Sequence, residues 1–400
     1  MSWGTPTDFR LHNGLRVVLL PASRSGLVET RLVAARGGNG PAHRTEALLV
    51  GHLFDEAGPW SLRVDAGLIM VRASTLPDGL EPLLARLAAA ATRPHYTAAS
   101  RDRAAHSSAP LPDHGRGRLT RTVLADRFHG HPLTVEPPAL DELRAVSIAR
   151  LRHAHERILA PDGAVLVIAG AVDVDRAGAL VAAHLGRLTG PGGCAPGAEV
   201  TVRSGPPLTR LFEGPDDEPV TLVAAASAPP PASPAYAAAL LVAELLAGGP
   251  DARLPVAIGR DVGRVVSASC VVGSDPGAWI SIEADVERAR APKVLRAVRD
   301  CLAGLAGTVP DDREWRRAKA ALFRSGVVPL ASTAETANRS AAALASGLPW
   351  DHPLTLPVAA AEVRPAELSA VIDAYFAPDN FSMAAIGPMA PLEQGKRAPL

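Results

Sequence analysis

Cysteine is scarce in this 400-residue chain: there are three, Cys194, Cys270 and Cys301, an odd number with no CxxC pair. That excludes a disulfide framework and a zinc-ribbon type of structural site, and leaves the thiols as incidental. Lysine is equally scarce, at Lys293, Lys319 and Lys396 only, so the basic residues are almost all arginine. With abundant Ala, Gly and Pro, this usage points to a bacterial genome of high GC content. Lys+Arg and Asp+Glu balance at 41 each, which removes bulk charge as a reason to bind nucleic acid or an acidic membrane. No run approaches the ~18 apolar residues of a membrane span. The start, Met1 to Phe9, shows no basic segment followed by an apolar one. The expectation is a soluble cytoplasmic protein that uses neither membrane nor nucleic acid.

What is present is a globular composition, 47% hydrophobic and 20% charged, in a chain too long for one ordinary core. Asn13-Gly14, between two extended apolar runs, predicts a tight hairpin at the start. A strand is expected over 29–35, helices over 45–54 and 79–92, and a strand over 66–75. The segment 98–128 is polar and helical in part, interrupted by Pro110 and Pro112. A helix over 147–158 leads to a buried strand at 165–170, and a helix at 173–185 closes the first half. Gly- and Pro-rich residues 189–207 read as a linker, which divides the chain into halves at 1–188 and 208–400.

The second half repeats the first. Leu159-Ala-Pro-Asp-Gly-Ala-Val-Leu-Val-Ile-Ala-Gly170 matches Phe376-Ala-Pro-Asp-Asn-Phe-Ser-Met-Ala-Ala-Ile-Gly387, and residues 47–54 resemble 239–246. The offsets, 217 and 192, differ, so an internal duplication with insertions or deletions between the matches is the natural reading, although chance similarity of Ala-rich helices serves equally well for the second.

In order along the chain, "LHNGLRVVLLP" from residue 11, "FHGHPL" from 128, "APDGAVLVIAGAVDVDRAGALVAAHLG" from 160 and "LLAGGPDARLPVAIGRDVG" from 245 resemble the pitrilysin/insulinase family of zinc peptidases. The resemblance implies an α+β fold: two homologous half-domains, each a mostly antiparallel sheet faced by helices. It also implies that a chain of this length, like the mitochondrial processing peptidase subunits, pairs with another to enclose a peptide.

Family catalysis needs His-x-x-Glu-His on a helix, where histidines at i and i+4 share a face that holds zinc and the glutamate activates the bound water. The motif occurs nowhere in this sequence, which has no Glu-His dipeptide at all. Three local registers stay open. In the first, His43 and Glu46 survive and Ala47 replaces the second histidine. In the second, Ala47, Val50 and Gly51 fill the three positions. In the third, Leu48 and Gly51 precede His52. Each register loses at least one zinc ligand, and the distal ligand, a glutamate in the family, falls near residues 104–107, which read Ala-Ala-His-Ser. The stretch between the motif region and Gly58 is also short for the family, so one helix is expected to be missing or merged.

No replacement site is visible. His129 and His131, like His153 and His155, are two apart, and on a helix that spacing points to different faces. Ser325-Gly326 lacks a Gly-x-Ser-x-Gly elbow. The family's second signature, an arginine followed seven residues later by a tyrosine that stabilises the tetrahedral intermediate, finds Arg260 and then Ser267. Arg253 matches an upstream family arginine of structural character. Gly248-Gly249 reads as a helix C-cap, or, by the resemblance, as a loop lining the substrate chamber.

The chain is therefore expected to be a non-catalytic subunit of a heteromeric zinc metallopeptidase. It would hold no cofactor itself, with zinc in a catalytic partner of the same family, and would help bind a peptide through Arg260, Gly248 and Gly249. The leader of a ribosomally made peptide natural product is one substrate the resemblance offers. A homodimer, an inert peptide-binding or scaffold protein, and an enzyme with a novel site are the alternatives.

Overall fold

The computed structural model describes residues 4–22, 25–35, 41–64, 68–109, 115–190, 200–214, 219–258, 267–272, 277–287 and 291–387. Its chain forms two compact units, each built on one sheet. Unit 1 comprises Met1–Leu111, Val135–Glu199 and Pro329–Pro353, and unit 2 comprises Pro112–Thr134, Val200–Val328 and Leu354–Leu400.

In unit 1 the strands are β1 (Thr7–Arg10), β2 (Arg16–Pro21), β3 (Val28–Ala35), β4 (Ser61–Val64), β5 (Leu68–Thr75) and β6 (Val165–Gly170). They lie in the order β1-β2-β6-β3-β5-β4, antiparallel except for β2 with β6. The Asn13-Gly14 turn closes the first hairpin as expected. Gly14 takes φ +91°, and a Cβ there would lie 2.9 Å from the Asp162 Cα. Asn13 Nδ2 donates to the carbonyls of Leu185 and Leu188, which ties the turn to the end of a later helix.

One face of this sheet (Val17, Leu19, Leu32, Leu166, Ile168) packs under α1 (Pro41–Asp55), α2 (Leu80–Thr92), α3 (Ala98–Ser108), α5 (Ile148–Ile158) and α6 (Val174–Leu185). The other face (Val18, Leu20, Val33, Val165, Val167) is covered by Ala337, Ala341 and Leu344 of α10 (Thr333–Ala345). Alanines at i and i+4 let that helix approach the strands closely. With both faces covered, all six residues of β6 are buried, as its unbroken apolar run requires.

Unit 2 has β7 (Thr209–Glu213), β8 (Val220–Ser227), β9 (Ser267–Val272), β10 (Trp279–Val286) and β11 (Ser382–Gly387), in the order β9-β10-β8-β11-β7. Only β11 with β7 is parallel. Its main core joins α7 (Ala235–Ala247), α8 (Ala291–Ala303) and α9 (Asp312–Gly326) to one face, while Leu119, Val123 and Leu124 of α4 (Arg116–Arg127) meet Val223, Ala225 and Ala384 on the other.

The two sheets share one topology. β11 stands in unit 2 where β6 stands in unit 1, parallel to one neighbour and antiparallel to the other, and the two strands lie 217 residues apart at both ends. α1 follows β3 as α7 follows β8. Both sequence matches thus fall on equivalent elements. Compactness does not follow the contiguous halves 1–188 and 208–400, however. Residues 112–134 belong to unit 2 and 329–353 to unit 1, because α4 and α10 each bury their apolar stripe on a sheet built from more distant chain. Of the linker 189–207, residues 191–199 lie outside the described residues.

Among the described residues, no helix is long and apolar enough to cross a membrane.

Candidate functional site

The region where the zinc motif would sit is α1. Its buried stripe is apolar: Ala47 is wholly buried, Leu49, Val50, Leu53 and Phe54 join the core, and Gly51 is buried beside them. A Cβ on Gly51 would lie 2.9 Å from both Leu62 and Val64 of β4, so the helix and strand touch there without room for a side chain. Of the eight positions that the three registers use, Ala47, Val50 and Gly51 are packing positions and Leu48 is half-buried. Only His43, Glu46 and His52 carry ligand or base chemistry, and both histidines are half-buried.

Glu46 is engaged elsewhere. Its side chain is 6% exposed and faces α5, where Arg150 Nε donates to Oε1 and Arg157 Nη2 donates to Oε2, the latter at 2.7 Å. The two arginines are seven residues apart, two helical turns, so they stand on one stripe of α5. Burial acts to raise the Glu46 carboxyl, but the hydrogen bonds from Arg157 and Arg150 outweigh it and hold the carboxyl below its ordinary range. A general base must accept a proton near neutral pH. This carboxylate has both oxygens occupied by cations and a lowered affinity for protons, which makes it a structural ion pair. Arg150 and Arg157 were not legible as its partners: they lie more than a hundred residues downstream, and a seven-residue spacing of arginines is common on any exposed helix.

The distal position is likewise filled with packing residues. Ala104 and Ala105 of α3 are buried in the unit 1 core. His106 beside them is exposed and fully used: its Nδ1 donates to the Asp102 carbonyl at 2.7 Å, and its Nε2 accepts from Arg144 at 2.8 Å. Among the described residues no three His, Cys, Asp or Glu side chains are grouped to hold a metal.

The other histidines of interest are separated. His129 is exposed while His131 is buried, and His153 is exposed while His155 is buried. His131 accepts at Nδ1 from the Leu133 N–H, and burial pushes its pKa down to about 4. His155 is lowered chiefly by burial and is held between the Tyr96 hydroxyl and the Ala91 carbonyl.

In unit 2, Gly248 and Gly249 terminate α7. Gly248 N–H donates to the Glu244 carbonyl at 2.8 Å, and Gly249, with φ +117°, takes the left-handed conformation that favours glycine. Arg253 makes a two-pronged ion pair with Glu314, 2.9 Å at each contact, and donates to the Gly304 carbonyl, a structural role. Arg260 lies outside the described residues. Ser267, where the family tyrosine would stand, opens β9.

Residues 145–322 match the family model described as the peptidase M16 inactive domain. The chain carries an M16 inactive domain in a pitrilysin-family fold. A crystal structure described as a peptidase M16 inactive domain from Pseudomonas fluorescens is similar over 96% of this chain and 98% of its own, with a TM-score of 0.82 and 18% identity. A protease from Helicobacter pylori is similar over 97% and 100%, with a TM-score of 0.78 and 14% identity. The periplasmic protease PqqL from Escherichia coli is matched over 97% of this chain but 46% of its own length, with a TM-score of 0.76 and 15% identity. No curated protein matches the chain in sequence. This is thus a pitrilysin-like chain of the non-catalytic type, about half as long as PqqL and without the zinc motif.

Proposed function

We propose that this pitrilysin-like chain is the non-catalytic subunit of a heteromeric zinc metallopeptidase. The observation that carries the reading is Glu46: the one candidate for a surviving general base is locked between Arg150 and Arg157, next to an Ala47 that is wholly buried. A partner of the same family, with an intact His-x-x-Glu-His, supplies zinc and chemistry. This chain closes with it around a peptide, and the leader of a ribosomally made peptide natural product is the substrate we assign. In this reading the halves 1–188 and 208–400, joined by 189–207, are homologous, Arg260 with Gly248 and Gly249 contacts substrate, and the pair works in the cytoplasm.

The test is co-expression with a family member that has the intact motif, followed by co-purification and assay of leader cleavage. The proposal expects a stable pair that cleaves, a partner that cleaves at least tenfold more slowly alone, and a further loss on Arg260→Ala. If the partner cleaves equally well without this chain, the inert scaffold reading replaces this one; a homodimer that excludes the partner would also contradict it. Cell fractionation decides the compartment.

A further inference from the structure

Unit 1 contains a pocket that the family resemblance leaves without a role. It lies between the C-terminal end of α1, the end of α2 and the start of α3, and encloses about 600 Å³, within the range of small-molecule sites. Its floor is apolar and rigid. Phe54 stacks on Trp60 with ring centroids 5.2 Å apart, and the Tyr96 hydroxyl meets His155 Nδ1 at 2.6 Å. The opposite nitrogen of His155 donates to the Ala91 carbonyl at 2.9 Å, which fixes the ring's tautomer. Both polar floor groups are thereby satisfied and held in place.

The wall is cationic. Arg86, Arg93, Arg103 and His95 line the pocket, and Glu56 is the one carboxylate among the described wall residues. Arg103 engages Glu56 at 3.2 Å. Arg86 is tethered only by its Nε, at 3.1 Å from the Ala57 carbonyl. Its terminal nitrogens and the whole Arg93 guanidinium therefore carry charge without a carboxylate among the described residues. Arg86 and Arg93 are seven residues apart on one stripe of α2, roughly 10 Å along the axis. Two uncompensated guanidinium groups around a concave apolar floor create a local positive potential that an anion relieves.

We propose that this pocket binds a small organic anion: an apolar, aromatic-sized body seated on Phe54 and Tyr96, with its anionic group held by Arg86 and Arg93. The site lies away from the His43–Ala47 end of α1 and stands or falls independently of any peptidase partner.

Anilinonaphthalenesulfonate has this chemistry, and phenylnaphthylamine is its neutral counterpart. Fluorescence titration of the full chain should show one saturable site for the sulfonate, weakened about tenfold in an Arg86→Gln/Arg93→Gln variant, because each charge-assisted hydrogen bond lost costs about that factor. Binding of the neutral probe should change less than about twofold. Raising the salt to about 0.5 M should weaken sulfonate binding in the wild type and not in the variant. Ala89→Trp, at an exposed wall position, should remove binding of both probes. Should the double variant melt early, Arg93→Gln alone should still weaken the sulfonate about threefold. Sulfonate binding that is unchanged in the charge variants, that survives Ala89→Trp, or that shows no single saturable site overturns the assignment.

Discussion

Glu46 is where a catalytic and a structural account of this chain diverge. As an ion pair whose carboxylate is buried and whose partners are partly exposed, it should be costly to break: Glu46→Gln is expected to lower stability by about 2 kcal/mol in a denaturant titration, because it leaves Arg157 without its counter-charge. Its folded pKa lies below the ordinary value of 4.5, so the ionised carboxylate contributes stability that is fully present above that pH and is lost as pH falls through the lower, folded value. A pH series of melting temperatures should show this acid-side loss in the wild type and a smaller one in Glu46→Gln. His131 acts in the same direction at a higher pH. Its pKa of about 4 in the fold, against 6.5 unfolded, means that the unfolded chain binds the extra proton first, so stability declines as pH falls from about 6.5 towards 4. His131→Phe should flatten that part of the curve. Restoring the missing histidine should not restore a metal site: Ala47→His forces a ring into a position with no exposed surface, at a cost of about 2 kcal/mol, and adds no zinc by elemental analysis.

At the scale of elements, α10 shows what a sequence can and cannot display. The helix itself is legible, with Ser332 capping it through the Glu335 N–H and alanines at regular spacing. Its destination is not, since nothing local to 333–345 says that it packs on strands three hundred residues earlier. One link in that packing is polar. Arg31 on β3, 3% exposed, pairs with Glu29 at 2.9 Å and donates to Asn338 on α10. Glu29→Ala strands a buried guanidinium and should cost about 3–5 kcal/mol in unit 1, readable as a lowered unfolding midpoint, whereas replacing both charges with apolar residues should cost less. The strands fared better in the sequence. β6 and β11 were announced by apolar runs after Ala-Pro-Asp, and the hairpin by Asn13-Gly14, because their signals are contained within a dozen residues. The loss of the zinc motif was legible in any register for the same reason; the two arginines that secure Glu46 were not.

Over the whole molecule, one strand order used twice accounts for the architecture. It explains why two matches at different offsets land on equivalent elements, and why α1 has a counterpart in α7 that also carries no metal-binding motif. It also accounts for the gap between sequence halves and compact units, since each unit takes one helix from beyond its own half. The pitrilysin-family fold is thus retained while the positions that would do chemistry are used for packing or held in ion pairs. The most direct test is the zinc content and peptidase activity of the purified chain alone, after incubation with zinc and removal of excess. The account predicts far less than one zinc per chain and no peptide cleavage. One zinc per chain accompanied by cleavage would contradict it.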